Sequence, residues 1–212
     1  MYVPPQFRVT DIEKIHEMME QHAFGILFTH GKSGMTANHL PFELDRSKGE
    51  FGVLHCHVAR KNPVWQDIAN GDQVLVVFKA ADAYLTPQWL PSKQETHEQV
   101  PTWNYMVAHA DGIATIHDDE KYVRGVVARL TKRHEAGTPV PWKMTDAPKH
   151  VIDAELMDIV GISIEITRVT AKHKLSQNKD NRDMTSAGEN MKQQGHTLIG
   201  DAMLAVVAAR AE

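Results

Sequence analysis

Between Phe24 and Phe78 the chain breaks into short β-type runs separated by glycines, a pattern that restricts it to a barrel or a meander of antiparallel strands. The runs cover Phe24 to Thr29, Met35 to Leu44, Phe51 to His57 and Val74 to Phe78, and Gly31, Gly34, Gly49 and Gly71 punctuate them. The run Val74-Leu75-Val76-Val77-Phe78 lacks alternation, which predicts burial on both faces. Further on, Thr102 to Ile116 reads as one long β segment. Val160, Ile162, Ile164 and Ile166 then alternate with Gly161, Ser163, Glu165 and Thr167, the period of a strand with one buried side.

Helices fit around these strands. Thr10-Asp11-Ile12-Glu13 has the capping-box pattern, and Ile12, Ile15, Met18 and Met19 recur at helical spacing to about His22. A second helix is predicted over Asp118 to Glu135, with Val123, Val126, Val127 and Leu130 on one face. Pro139-Val140-Pro141-Trp142 breaks the chain, and Pro148 opens a short helix. Pro87 to Gln99 is rich in Pro, Gln, Ser, Lys, Glu and His and reads as a long exposed loop. After Asn178 the sequence is polar to about Thr197 and apolar from Leu198 to Val207, as in a C-terminal helical arm. The expected organisation is a domain over residues 1–178 and a polar segment with its arm over 179–212.

The 212 residues are 42% hydrophobic and 24% charged, ordinary usage for a soluble globular protein. No run of about 18 apolar residues is present to span a membrane, and Met1-Tyr2-Val3-Pro4-Pro5 lacks the plan of a signal peptide, so a cytoplasmic location is expected. The single cysteine, Cys56, rules out an intramolecular disulfide and reads as a buried small apolar residue. Net charge is −4. Nonspecific DNA affinity comes largely from phosphate neutralisation by Lys and Arg, and the best basic segment, Lys132-Arg133-His134, adjoins Glu135, so direct DNA binding is not expected.

Candidate chemistry gathers at a few phrases. Arg60-Lys61-Asn62-Pro63 lies where a strand ends and a helix through Val64 to Ile68 begins, a place where two cations and unpaired amides can meet a phosphate; a solvated basic pair is the competing reading. Asn38-His39-Leu40-Pro41 interrupts a strand with a proline, and its carboxamide and imidazole offer both donors and acceptors. In Val100-Pro101-Thr102-Trp103-Asn104-Tyr105, Trp103 and Tyr105 share one face and Asn104 points to the other with Thr102 and Met106; aromatic pairs of this kind commonly pack a core. His55 and His57 would point the same way, but no third zinc ligand is near, and His16 to Glu20 fails the HExxH pattern.

These phrases, in their order and together with Pro141-Trp142 and Lys174-Leu175-Ser176-Gln177-Asn178, resemble the PaiB family, FMN-binding negative transcriptional regulators built on a flavin-reductase-like split β-barrel. The resemblance implies an α+β fold, mainly antiparallel, with a split β-barrel, peripheral helices and noncovalent FMN at a homodimer interface. It implies flavin contacts from Asn38, His39, Leu40, His57, Arg60, Lys61, Trp103, Asn104, Lys174 and Gln177, with Ala59 standing where a hydroxyl residue usually helps to hold the phosphate. An FMN-dependent oxidoreductase and a haem-handling split barrel, with His57 or His173 as iron ligand, are the alternatives. The regulatory role rests on the resemblance alone, since the helix ending at Glu135 runs into Gly137-Thr138-Pro139-Val140-Pro141 rather than into a recognition helix.

Overall fold

The computed structural model describes residues 1–210. In chain order its strands are β1 (Arg8–Val9), β2 (Phe24–Gly31), β3 (Gly34–Pro41), β4 (Glu43–Asp45), β5 (Val53–Ala59), β6 (Gln73–Leu85), β7 (Thr102–His117) and β8 (Ile159–Lys174). The helices are α1 (Ile12–Gln21), α2 (Val64–Asp67), α3 (Ser92–Thr96), α4 (Glu120–Glu135), α5 (Lys149–Met157), α6 (Asn181–Gln193) and α7 (Thr197–Ala209). One sheet runs β3-β2-β6-β7-β8-β5-β4, with β1 against β8. The fold is α+β and mainly antiparallel, as the sequence predicts. Contacts divide the chain into a barrel unit (Ile12–Phe78 and His109–Val169) and a hairpin unit (Met1–Asp11, Lys79–Ala108 and 170–210).

In the barrel unit the two ends of the strand path, β3 and β4, are separated in the chain by Phe42 alone, so the sheet has to curl back on itself. Phe42 is buried where the ends meet, its ring edge-on to Phe78 at 5.6 Å. Alternate residues Leu27, Val76, Phe78, Leu54, Cys56, Val58, Ile162, Ile164 and Ile166 fill the core. The Val74 to Phe78 run departs from expectation: Val74, Val76 and Phe78 are buried, but Leu75 and Val77 are only half-buried. The reason is topological. An antiparallel barrel strand has one inner face, and here the outer one lines an open groove.

Helices cover the other outer faces. Helix α1 begins at Ile12, as its capping phrase predicts, and buries Ile15, Met18 and Met19. Helix α4 starts where the Asp119 carboxylate accepts from the Tyr122 amide at 2.8 Å, and it buries Val123, Val126 and Leu130. Its first turn packs Tyr122 so closely on β8 that a Cβ at Gly161 would lie 2.5 Å from the ring.

The hairpin unit corrects two expectations. Residues 87–99 are only partly the exposed loop expected: residues 94–98 are exposed, but Leu90 is fully buried, and the amide and hydroxyl of Ser92 bond the buried Asp183 carboxylate at 2.9 and 2.5 Å. Polar composition here serves an interior hydrogen bond at Ser92 as well as solvent at residues 94–98. The stretch after Asn178 is likewise helical in both halves, because α6 buries Met184, Ala187, Gly188 and Met191. Helices α6 and α7 approach at Gly188 and Gly200, where a Cβ on Gly200 would meet the Gly188 carbonyl at 2.5 Å.

Candidate functional site

The residues singled out from the sequence fall into two groups. In the barrel unit, Arg60 ends β5 with its guanidinium spoken for: two nitrogens bond Asp118 at 2.7 and 3.0 Å, Nε donates to the Met157 carbonyl at 2.6 Å, and the plane lies 5.9 Å from the Trp65 ring centre. Lys61 is exposed and has no ion-pair partner among the described residues. Asn38 accepts from the Asn62 side chain at 2.8 Å, and Asn62 in turn accepts from the Val64 amide at 3.0 Å, so this carboxamide pair holds the start of α2. His39 is exposed, its ring 6.5 Å from that of Phe24, and Leu40 is half-buried.

His57 faces away from the barrel core, beneath α4 and α5, into a cavity of about 210 Å³ that Trp142, Leu156 and Ile159 also line. That volume is below the roughly 300–1,000 Å³ of ordinary ligand pockets. Its Nδ1 is buried without a hydrogen-bond partner among the described residues, and burial lowers its pKa. Beside it, His55 Nδ1 meets the Tyr122 hydroxyl at 2.7 Å, and His117 stacks on the Tyr122 ring at 3.7 Å while reaching Ser163 at 2.8 Å. Burial first, then the nearby Arg129 and Lys48 charges, push the His55 pKa down to about 4. Cys56 points the other way into the core, where burial raises its thiol pKa far out of the nucleophilic range. Among the described residues, no three His, Cys, Asp or Glu side chains converge to hold a metal.

The barrel also carries a groove of about 910 Å³, with Phe28, Met35, Leu75, Val77, His109 and Arg168 in its walls. None of the residues singled out from the sequence lines it. Arg168 there is paired with Asp111 at 3.0 Å.

In the hairpin unit the alternation of Trp103, Asn104 and Tyr105 holds, but its inner face is the unexpected one. Asn104 is fully buried, accepting from Ser176 Oγ at 2.9 Å and facing Met203 Sδ at 3.3 Å, whereas Trp103 is 53% exposed. The aromatic side is open, and Tyr84, 47% exposed, stands edge-on to Trp103 at 5.9 Å. At the end of β8, Gln177 folds back on its own turn, accepting from the Leu175 amide at 2.7 Å and donating to the His173 carbonyl at 2.6 Å. Lys174 donates to the Thr102 hydroxyl, and burial lowers its pKa. Lys172, two residues earlier, is buried between the rings of Tyr2 and Tyr105. Tyr84 and Lys172 were missed in the sequence. Lys172 was findable, because it shares a strand face with Lys174.

This open aromatic face with lysines beside it is chemically suited to FMN. An isoalloxazine stacks on exposed aromatic surface, which Trp103 offers with Tyr84 edge-on beside it, and its phosphate takes charge-assisted hydrogen bonds from cations.

Residues 1–168 match a family model described as "Putative FMN-binding domain". The chain belongs to this family. FMN is the cofactor that membership brings, and the resemblance read from the sequence holds. Protease synthase and sporulation protein PAI 2 of Bacillus subtilis is 30% identical over 192 residues, covering 90% of this chain and 89% of that one. Among solved structures, a FAD and heme binding protein from Mycobacterium smegmatis gives a TM-score of 0.57 at 15% identity, over 79% of this chain and 73% of that one. The flavocytochrome Anf3 from Azotobacter vinelandii gives 0.56 at 12%, over 79% and 69%. At such identities the likeness is one of fold, here the split β-barrel. No helix among the described residues is long and apolar enough to cross a membrane.

Proposed function

We propose that this protein is a noncovalent FMN flavoprotein of the PaiB type, which works as a homodimer and seats the flavin against the open Trp103 face. The observation that carries the reading is the exposed Trp103–Tyr84 pair, aromatic surface left uncovered on a strand whose other side buries even an asparagine. Dimer formation is supported by Phe24 and Met35, large apolar side chains 68% and 79% exposed on neighbouring strands. A regulatory role would then run through flavin state or a protein partner rather than base readout, in keeping with a net charge of −4.

The test is titration of apo protein with FMN, followed by flavin absorbance and fluorescence. Stoichiometric binding is expected, with Trp103→Ala weakening it by about 2- to 12-fold, the scale of one aromatic stacking contact. An apo protein that takes up no FMN would overturn the reading. An unchanged dissociation constant for Trp103→Ala would remove the flavin from this face.

A further inference from the structure

Beneath α4 and α5 in the barrel unit, the His57 cavity brings one unused polar group against an apolar lining. Val127 of α4, Ile152 and Leu156 of α5 and Ile159 at the start of β8 form walls, with Trp142 and Glu155 beside them. Trp142 is 42% exposed, and its amide donates to the Glu135 carboxylate at 2.8 Å, which ties the segment after α4 back to the last residue of that helix. The basic strand end is elsewhere: Arg60 lies in a neighbouring hollow of about 120 Å³ with Asp118 and Met157.

His57 Nδ1 is sealed without a hydrogen-bond partner among the described residues, which leaves Nε2 as the ring nitrogen for a ligand. Burial lowers the His57 pKa, so at neutral pH the ring is uncharged and carries one proton. A buried N–H without an acceptor is rarer in proteins than an under-satisfied lone pair, so the proton belongs on Nε2. The cavity thus presents a donor, and its complement is an acceptor oxygen. Charge narrows the choice. An anion would lose its hydration among aliphatic walls and face Glu155, which is exposed and has no ion-pair partner among the described residues. The volume of about 210 Å³ is below that of drug-sized pockets, but it is many times the roughly 10–15 Å³ that one water needs.

We propose that this cavity binds a small neutral molecule with a carbonyl or amide oxygen on a short branched apolar body, the oxygen on His57 Nε2–H and the body between Trp142 and the aliphatic walls. The site is independent of the flavin reading, which uses the Trp103 face.

The experiment titrates the FMN-saturated protein with isobutyramide, isobutyrate and isobutylammonium at neutral pH. It follows the Trp142 indole cross-peak in proton–nitrogen correlation spectra, assigned through Trp142→Phe. The amide and the carboxylate share a shape and differ in charge, while the ammonium lacks an acceptor. Isobutyramide is expected to shift the peak saturably with a dissociation constant of about 1 mM or below, within reach of a ligand of about six heavy atoms. Isobutyrate should bind at least about tenfold more weakly, and isobutylammonium not at all. His57→Phe weakens isobutyramide about 2- to 12-fold, the worth of one hydrogen bond, and His57→Gln, which keeps an N–H donor, recovers part of the loss. Glu155→Gln, a change at an exposed position, keeps the isobutyramide affinity and narrows the margin over isobutyrate, so it decides the matter should His57→Phe fail to fold. A protein that takes up no FMN defeats the proposed function, and the same titrations on it then decide this site alone. No saturable shift, equal binding of amide and carboxylate by wild type, unchanged amide affinity in folded His57→Phe, or an unchanged margin in Glu155→Gln overturns the proposal.

Discussion

Replacing Asn104 with leucine tests how the strand end carrying Lys174 is held. Asn104 is fully buried, and its Oδ1 accepts from the Ser176 hydroxyl at 2.9 Å. Ser176 is itself 2% exposed and sits at φ 65°, in the left-handed region, which costs a residue with a Cβ roughly 1–2 kcal/mol. Leucine is close to asparagine in size, so cavity effects are small. The change removes a hydrogen bond worth about 1 kcal/mol and strands the Ser176 hydroxyl in a dry site at about 1–3 kcal/mol more, a loss of about 2–4 kcal/mol in all. Met203 Sδ, a weak acceptor, adds little. Ser176→Gly alone relieves the backbone but leaves the Asn104 oxygen unpaired, so the two effects nearly cancel. The double variant removes both polar atoms and the strained backbone together and should lie within about 1 kcal/mol of wild type, giving a coupling energy of about 2 kcal/mol. Urea midpoints for the four proteins supply the cycle. Additive losses in the double variant would show that Asn104 does not hold this turn through Ser176.

Other consequences are as direct. With its pKa held near 4 in the fold and near 6.5 when unfolded, His55 contributes stability that is complete above about pH 6.5 and is lost as pH falls toward 4, on the order of 3 kcal/mol; His55→Phe should flatten part of that slope in denaturation curves, and an unchanged slope would contradict its buried neutral state. Gly161→Ala should cost about 1–3 kcal/mol by driving a methyl group into Tyr122, with partial recovery in Gly161→Ala/Tyr122→Leu, and a neutral single variant would refute the close packing. Light scattering should return twice the 23.8 kDa chain mass, and a monomer at micromolar concentration would rule out the dimer. Anisotropy at about 150 mM salt should show no promoter fragment preferred over scrambled competitor, where sequence-specific regulators bind at around 10⁻⁸ M.

The parts of the fold that were legible are those where one periodic face decides the structure. The Val160 to Ile166 alternation and the Val123 to Leu130 stripe both lie where their spacing puts them. The α6 helix carried a signal as well, since Met184, Ala187, Gly188 and Met191 follow the i, i+3, i+4, i+7 rule, but alanine and glycine are too small to stand out against the polar residues that make up the rest of the helix. Residues 87–99 were illegible for a different reason. Ser92 is buried because Asp183, 91 positions away, satisfies it, and no local pattern records such a partner. The same applies at the site. Alternation separated Trp103 from Asn104 but could not say which face was inside, and the partner that settles it, Ser176, is 72 positions away.

Arg60 and Lys172 show how tertiary pairing separates cations that look alike in sequence. Beside Lys61 at a strand end, Arg60 has the better local credentials for a phosphate, yet Asp118, 58 positions on, neutralises it with two hydrogen bonds. Lys172 has no such credentials, lying inside a β run next to Ala171, and yet it is the buried cation left without a carboxylate among the described residues. A surface arginine paired in this way gives somewhat less to a DNA phosphate than a free one, because the approaching duplex has to displace a local carboxylate, which an exposed pair holds only weakly. The same charge accounting therefore weakens the case for direct DNA binding.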